Sequence, residues 1–236
     1  MSLALLCPGQ GAQHPAMFDR VRAVAAAQPV LAATAEVLGR PADSAAASED
    51  RFENANAQPL LCAASLAHWQ GLRDRVPTPL LVAGYSIGEL AAHAIAGSFD
   101  AATCLSLSRQ RAHLMDEASP PQAGMQAVLG LEREPLQALC AAYDAHIAIA
   151  NGADHFIVGG RLDALQALAD AATARGADVR PLPVHVPAHT PLLADAARGF
   201  AQVLAGASIQ TPTLPVLAGI DARPVRDRAS VDRTLS

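Results

Sequence analysis

Two short apolar runs in the first half of the chain stand between longer amphipathic stretches. The runs cover 3–7 and 80–83, and each leads into a glycine-containing loop, which is typical of a buried strand. Elsewhere, apolar residues recur at helical spacing and predict helices over 28–38, 58–75, 87–96 and 101–117. Pro59 suits the first turn of the second helix, Asp100 can cap the fourth, and 40–56 is predicted to be a surface loop. This alternation of strands and helices indicates an α/β sheet.

The segment 122–182 has a different order of elements. Within it we predict strands at 125–129, 146–150, 155–159 and 178–182 and helices at 134–143 and 161–175. After the segment we predict a helix at 190–205 and a strand at 213–220. The order β-α-β-β-α-β within the segment is the split βαβ, or ferredoxin-like, arrangement. We therefore predict an α/β core formed by 1–121 and 186–236, with a ferredoxin-like subdomain, 122–185, inserted into it.

Composition and charge exclude several classes of function. The chain has 17 basic and 22 acidic residues, and its net charge of −5 without a basic run argues against nucleic-acid binding. No apolar stretch approaches the roughly 20 residues that span a bilayer, and the apolar run at 3–6 is too short for a signal peptide, so neither a membrane span nor a secretory signal is expected. Four widely spaced cysteines predict reduced, buried thiols in a cytoplasmic protein. The cysteines and histidines lack the spacing of a metal site.

The second apolar run leads directly into Gly84-Tyr85-Ser86-Ile87-Gly88, which fits the pattern G-x-S-x-G. In this motif a strand turns sharply into a helix, and the serine at the corner exposes its hydroxyl group. The backbone N–H of Ile87 would then lie at a helix N-terminus, where it can donate to an oxyanion. The motif predicts Ser86 as a nucleophile.

A serine nucleophile needs a general base, and the chain has eight histidines. His189 stands out because it lies between the predicted subdomain and a helix start, at a junction where clefts form. His185 is the competing candidate. It is expected in an alternating strand, on the same side as Pro187, and so away from the cleft.

Two further features are less specific by themselves. The glycine-containing loop 8–13 follows the first strand and either brings backbone N–H groups close to a ligand or simply makes a tight turn. Arg111, on the helix at 101–117, is either solvated or, if it is buried, a planar fork for a substrate carboxylate. The pattern alone leaves both alternatives open.

Together, these features resemble one family, the malonyl-CoA:acyl-carrier-protein transacylases and the acyltransferase domains of polyketide synthases. The matching motifs occur in the family's order, at 8–13, 84–89, 111–115, 150–152, 158–160 and 187–190. The resemblance therefore covers most of the chain.

The resemblance implies an α/β-hydrolase-like acyltransferase domain with an inserted ferredoxin-like subdomain. It implies Ser86 as the nucleophile, His189 as the general base and Arg111 as the partner of the malonyl carboxylate. The backbone N–H groups of Gln10 and Ile87 would form the oxyanion hole. A ping-pong reaction would move the malonyl group from coenzyme A to Ser86 and then to a phosphopantetheine thiol. The thioester of coenzyme A is expected as a substrate, and no cofactor is expected.

Three positions depart from the family pattern or leave a choice open. Tyr85 stands where members of fatty-acid synthesis have histidine, and it resembles the epsilon subunit of malonate decarboxylase, which charges that enzyme's own carrier subunit. The expected partner is therefore an acyl carrier protein or the carrier subunit of malonate decarboxylase. Family members usually continue past Ser236, so the chain is expected to be a truncated member or a fragment. The small Ala188 leaves malonyl and methylmalonyl groups open.

Two other functions remain as alternatives. A serine esterase or thioesterase would use the same elbow and histidine, and an acid between Ser86 and His189 would favour it. The candidates for such an acid are Asp116, Asp144, Asp154, Asp163 and Asp178. The other alternative is an inactive, truncated carrier-docking module, against which the presence of Ser86, Arg111 and His189 argues.

Overall fold

The computed structural model describes residues 2–11 and 13–235, so Ala12 of the 8–13 motif lies outside the described residues. By their internal packing, Met1–His113 with Arg198–Ser236 form one compact unit, and Leu114–Ala197 form a second. The predicted insert, 122–185, lies within the second unit. Its boundaries stay a prediction.

Strands and helices alternate along the described chain. The strands are β1 (Ala4–Cys7), β2 (Leu81–Gly84), β3 (Ala123–Leu129), β4 (His146–Ala150), β5 (His155–Arg161), β6 (Asp178–Pro181), β7 (Val216–Leu217) and β8 (Pro224–Val225). The helices are α1 (Gln28–Leu38), α2 (Ala42–Ala47), α3 (Asn54–Leu72), α4 (Gly88–Ile95), α5 (Ala101–Ala118), α6 (Arg133–Tyr143), α7 (Leu162–Thr173), α8 (Ala194–Gly206) and α9 (Arg228–Leu235). None of the described helices combines the length and the apolar character that a membrane crossing requires.

The first unit is built on a sheet of order β1-β2-β7-β8, in which the first three strands are parallel and β8 is antiparallel to β7. Helix α4 packs against β1 and β2. Cys7, Val82 and Val216 are buried, whereas Leu6, which points to the opposite face of the edge strand, is 74% exposed. The core of this unit therefore lies on one side of the sheet, the side that carries α4.

The second unit has a sheet of order β4-β5-β3-β6, with every neighbouring pair antiparallel. This is the strand order of a ferredoxin-like fold, so the prediction for this segment is confirmed. Side chains alternate along β5: Phe156 and Val158 pack in one core with residues of α6 and α7, and Ile157 packs in the core on the other face. Both faces of this sheet are covered.

The predicted surface loop at 40–56 is wrong. The segment contains α2 and a 3-10 helix, Glu49–Phe52, and three alanines of α2 are buried, namely Ala42, Ala45 and Ala46. A polar segment rich in alanine and serine is typical of a loop. Small side chains, however, also allow a short helix to pack closely on its neighbours. Here α2 packs against α1 and α3.

The predicted start of α3 is also wrong, because the helix begins at Asn54 and Pro59 lies inside it. A proline has no N–H, so the carbonyl group of Ala55, four residues earlier, loses its intrahelical donor. Arg109 supplies the replacement, since its Nη1 donates to Ala55 O at 2.8 Å. Arg109 therefore satisfies the carbonyl that Pro59 leaves without a donor.

The end of the chain differs from its prediction as well. The strand expected over 213–220 is limited to β7. Before β7, Pro212 and Pro215 have no N–H group to donate to a sheet, and Gly219 follows soon after it. Strand β8 and helix α9 were not predicted. Asp227 begins α9 as a cap, because its carboxylate accepts from Ser230 N at 2.8 Å.

Candidate active site

Ser86 lies at the corner between β2 and α4 with a φ of 52°, in the left-handed region. The two flanking glycines make this corner possible. A Cβ atom on Gly84 would lie 2.1 Å from the backbone of Gly88, and one on Gly88 would lie 2.3 Å from Cys7 O. Because backbone atoms cannot yield at such distances, the strand-to-helix turn requires glycine on both sides of Ser86.

The loop after β1 packs directly against this corner. Tyr85 N donates to Cys7 O at 3.0 Å, and a Cβ atom on Gly9 would lie 2.7 Å from Tyr85 Cδ1. The Tyr85 side chain itself is 43% exposed. Gly9 therefore allows the loop after β1 to approach Tyr85, the residue that precedes Ser86.

Two backbone N–H groups were predicted for an oxyanion hole. Ile87 occupies the N-cap of α4, where the helix dipole favours negative charge, and its side chain is fully buried. Gln10 lies in the turn after β1, which is held by the bond from Gly11 N to Gln13 Oε1 at 2.6 Å. Both residues belong to the first unit, as does Ser86.

Arg111 is half-buried on α5, and burial lowers its pKa to about 10, so it stays cationic at neutral pH. Its Nη1 donates to Gln58 Oε1 at 2.9 Å, Gln58 Nε2 donates to Asn54 Oδ1 at 2.7 Å, and Asn54 Nδ2 donates to Ala112 O at 3.1 Å. Sequence reasoning missed Gln58 and Asn54. Their spacing of four residues was the available signal, but it was hidden because the helix was expected to start at 58.

Glu89, in the first turn of α4, is another residue without a predicted role. It is 9% exposed, and its Oε1 accepts from Gly219 N at 3.2 Å. Burial raises the pKa of Glu89 to about 7, although Gly219 and the positive charge of Arg111 act in the opposite direction. The motif 84–89 contains this residue, but no pattern in the sequence indicated its burial.

His93, one turn further along α4, is fully buried, and its Nδ1 lies 3.2 Å from Ser98 Oγ. Its Nε2 is buried without a hydrogen-bond partner among the residues that the structure describes. Because burial penalises the charged ring, the pKa of His93 falls to about 4. This histidine is therefore neutral at physiological pH.

Acidification is expected to destabilise the protein through His93. The unfolded chain binds this proton at a pKa of 6.5 and the folded chain only at about 4, so stability is lost as the pH falls across that interval. The difference corresponds to about 3 kcal/mol. Glu89 acts in the opposite direction below pH 7, so the comparison of wild type with His93→Gln isolates the effect of the histidine.

Unfolding by urea at a series of pH values would measure this. The free energies of unfolding of wild type and His93→Gln are expected to converge, or to cross, between pH 6.5 and 4. The matched control is His14→Gln, a change at an exposed histidine of the same unit, whose curve is expected to run parallel to that of the wild type. Parallel curves for His93→Gln would contradict the prediction.

His189 belongs to the second unit, where it lies exposed with a φ of 59°. Thr190 Oγ1 donates to Pro187 O at 2.6 Å and closes the turn around it. A Cβ atom on Gly159 would lie 2.9 Å from Thr190 Cγ2, so the glycine of β5 lets this turn approach the sheet. That packing explains why the motifs at 158–160 and 187–190 occur together.

The surroundings of His185 correct one expectation. Residues 183–188 are irregular rather than a strand, because Pro183 and Pro187 interrupt pairing. His185 is exposed and Pro187 is buried, so the two do not share a side as expected. Exposure alone does not distinguish His185 from His189, but only His189 has the closed turn.

The five aspartates considered as a triad acid are all exposed. Asp163 pairs with Arg161, and Asp178 pairs with Arg180. The acid of a serine hydrolase triad is buried beside its histidine, so this arrangement disfavours the hydrolase alternative. Among the described residues, no group of three or more His, Cys, Asp or Glu side chains could hold a metal ion.

Ser86, Ile87, Gln10 and Arg111 thus belong to the first unit, and His189 belongs to the second. The roles of these residues, including the pairing of Ser86 with His189, stay predictions. The structure gives a local reason for three of these positions. Glycines flank Ser86, Ile87 lies at a helix N-terminus, and side-chain amides hold the Arg111 guanidinium.

Comparison with known proteins gives one consistent result. The model of the family described as acyl transferase domain matches residues 4–235. A malonyl CoA-acyl carrier protein transacylase of Mycobacterium bovis is 35% identical over 241 residues, which cover 99% of this chain and 79% of the relative.

Two solved structures are similar over the whole chain. The malonyl CoA-acyl carrier protein transacylase of Coxiella burnetii has a TM-score of 0.92 at 26% identity and is covered to 78%. A malonyl-transacylase in complex with a type II polyketide-synthase acyl carrier protein also has a TM-score of 0.92, at 29% identity and 80% coverage. The predicted α/β acyltransferase fold with its ferredoxin-like subdomain is confirmed.

Proposed function

Because this chain belongs to the acyl transferase domain family, we propose that it is a malonyl-CoA:acyl-carrier-protein transacylase. The observation that carries the proposal is the combination, within one unit, of a serine at a glycine-flanked elbow and a cationic arginine held by buried amides. An elbow serine alone would suit any acyl transfer. The arginine selects acyl groups that carry a free carboxylate.

The first half-reaction loads the serine. Ser86 Oγ attacks the thioester carbonyl carbon while its proton passes to His189, and the carbonyl oxygen accepts hydrogen bonds from the backbone N–H groups of Gln10 and Ile87. The C–S bond then breaks, and the departing sulfur of coenzyme A takes the proton from His189. Arg111 holds the malonyl carboxylate throughout. The product is a malonyl ester on Ser86.

The second half-reaction unloads it. A carrier thiol gives its proton to His189 and attacks the ester carbonyl carbon, and the same two N–H groups stabilise the oxyanion. The bond to Ser86 Oγ breaks, and the proton on His189 returns to the serine. Coenzyme A enters only as a thioester substrate, and no cofactor takes part.

The carrier thiol has two candidate sources. One is the phosphopantetheine of an acyl carrier protein, the partner of the polyketide-synthase relative. The exposed Tyr85 beside the nucleophile supports the second, the carrier subunit of malonate decarboxylase, because a tyrosine here resembles the epsilon subunit of that enzyme. We place either reaction in the cytoplasm, since the four cysteines are free.

Intact mass spectrometry after brief mixing with malonyl-CoA tests the proposal. A single malonyl adduct is expected, and it is expected to disappear when the thiol-bearing carrier that is the partner is added, with the mass of that carrier rising in turn. Steady release of coenzyme A without an adduct would instead indicate a hydrolase. The absence of both an adduct and a release of coenzyme A would contradict the proposed function.

A further inference from the structure

We infer that Gln58 and Asn54 form a relay of side-chain amides that fixes the direction of the Arg111 guanidinium and so sets the preference for acyl groups with a free carboxylate. The inference deepens the proposed function and rests on it. It concerns two positioning residues, because neither amide needs to touch the substrate for the relay to act.

The hydrogen bonds of the relay form a closed loop between α3 and α5. Asn54 Nδ2 donates to the backbone carbonyl of Ala112, the residue next to Arg111, at 3.1 Å. Its Oδ1 accepts from Gln58 Nε2 at 2.7 Å, and Gln58 Oε1 accepts from Arg111 Nη1 at 2.9 Å. The arginine is thus tied through two amides to the backbone of its own helix.

The loop can exist in only one sense. A backbone carbonyl can only accept, so Asn54 must turn its NH₂ group towards Ala112 and its oxygen towards Gln58. Gln58 must then present its NH₂ group to that oxygen, which leaves Oε1 for Arg111. Reversing either amide would place two donors or two acceptors together. The relay therefore presents an acceptor, Gln58 Oε1, to the guanidinium of Arg111.

Burial makes this arrangement rigid. Gln58 is fully buried and Asn54 is 5% exposed, so water cannot readily replace a broken bond of the relay. Buried amides that lose their partners are costly, and networks in which all partners are present hold one conformation. A long arginine side chain that would otherwise sample many rotamers is held by one of its Nη atoms, while its other donors remain for a ligand.

The charge of the relay is as important as its geometry. Gln58 is neutral, so it orients Arg111 without cancelling the positive charge. The carboxyl group that acts on Arg111 electrostatically is Glu89, and burial raises its pKa to about 7, which limits its negative charge at neutral pH. A carboxylate at position 58 would instead compete directly with the carboxylate of the substrate.

The variant Gln58→Glu tests this, because it keeps the shape and replaces only the amide. Loading of Ser86 would be followed with malonyl-CoA and with acetyl-CoA, which lacks the free carboxylate. The kcat/KM for malonyl-CoA is expected to fall by about 10-fold or more, and the kcat/KM for acetyl-CoA to stay within about threefold. The ratio of the two is the readout, since a purely structural role would lower both alike.

The matched control is Gln110→Glu, the same change at an exposed glutamine on α5, which is expected to leave the ratio unchanged. If Gln58→Glu does not fold, as judged by its thermal unfolding, Gln58→Met decides by the same ratio, because it removes the acceptor without adding charge. Equal losses with both substrates, an unchanged ratio, or failure of both variants to fold would overturn the inference.

Wild type and Arg111→Ala run beside these variants separate the two proposals. If malonyl-CoA does not load the wild type, the proposed function fails. If the wild type is loaded and Arg111→Ala loses selectivity while the Gln58 variants keep it, the proposed function stands and only the relay is wrong.

Discussion

Ser86→Ala is expected to abolish the malonyl adduct and to lower the rate of malonyl transfer by about 10⁴-fold or more, as removal of a catalytic nucleophile generally does. The elbow would keep its shape, because its geometry depends on Gly84 and Gly88 rather than on the hydroxyl group. Alanine also carries a Cβ atom, so the backbone at a φ of 52° would be no more strained than it is with serine. Intact mass and the transfer assay would both report the loss.

The appropriate control is Ser106→Ala, a change at an exposed serine of α5 in the same unit. It is expected to load and transfer as the wild type does. A malonyl adduct that survives in Ser86→Ala would show that a different side chain is the nucleophile, and its position could then be found by peptide mapping.

Arg111→Ala is expected to weaken the preference for malonyl-CoA over acetyl-CoA rather than to stop the chemistry. Loss of a charge-assisted bond to a carboxylate costs about 2–3 kcal/mol, which corresponds to a fall in kcat/KM for malonyl-CoA of about 30- to 150-fold. Loading from acetyl-CoA is expected to be unchanged or faster, because the acetyl group never used the guanidinium. With a pKa of about 10, the Arg111 guanidinium is itself charged throughout the neutral range, so it is available to a carboxylate between pH 6 and 8.

Arg109→Ala provides a matched control two residues away on the same helix. Arg109 donates to Ala55 O, the carbonyl that Pro59 leaves without a donor. Loss of the arginine is therefore expected to lower the midpoint of thermal unfolding and to leave the malonyl-to-acetyl ratio unchanged. A loss of malonyl selectivity in Arg109→Ala, or equal losses for both acyl groups in Arg111→Ala, would contradict the assignment of the carboxylate to Arg111.

Much of the fold could be predicted because its signals are local. The apolar run of β2 and the glycines around Ser86 lie within eight residues, and backbone sterics alone dictate their turn. The ferredoxin-like order of 122–182 could be predicted from the periodicity of each element and from the rule that links their order to their pairing. His189 could be singled out only by its position between elements.

The sequence could not reveal what depends on distant partners. Arg111 and Gln58 are 53 positions apart, and Arg109 and Ala55 are 54 apart, so no local pattern indicates either bond. The same limitation explains the error at Pro59. A proline inside a helix is costly by itself, and the side chain that compensates for it lies on another helix. Glu89 and His93 likewise have ordinary helical spacing, and only their burial makes them unusual.

The left-handed backbone at Ser86 puts activity and folding stability in conflict at a single position. A residue with a Cβ atom costs about 1 kcal/mol or more in that conformation, whereas glycine adopts it without steric strain. Selection for a more stable fold would therefore favour glycine at position 86, and selection for acyl transfer would favour serine. The protein gives up stability at the residue on which its chemistry depends, so a stabilised but inactive form is one substitution away.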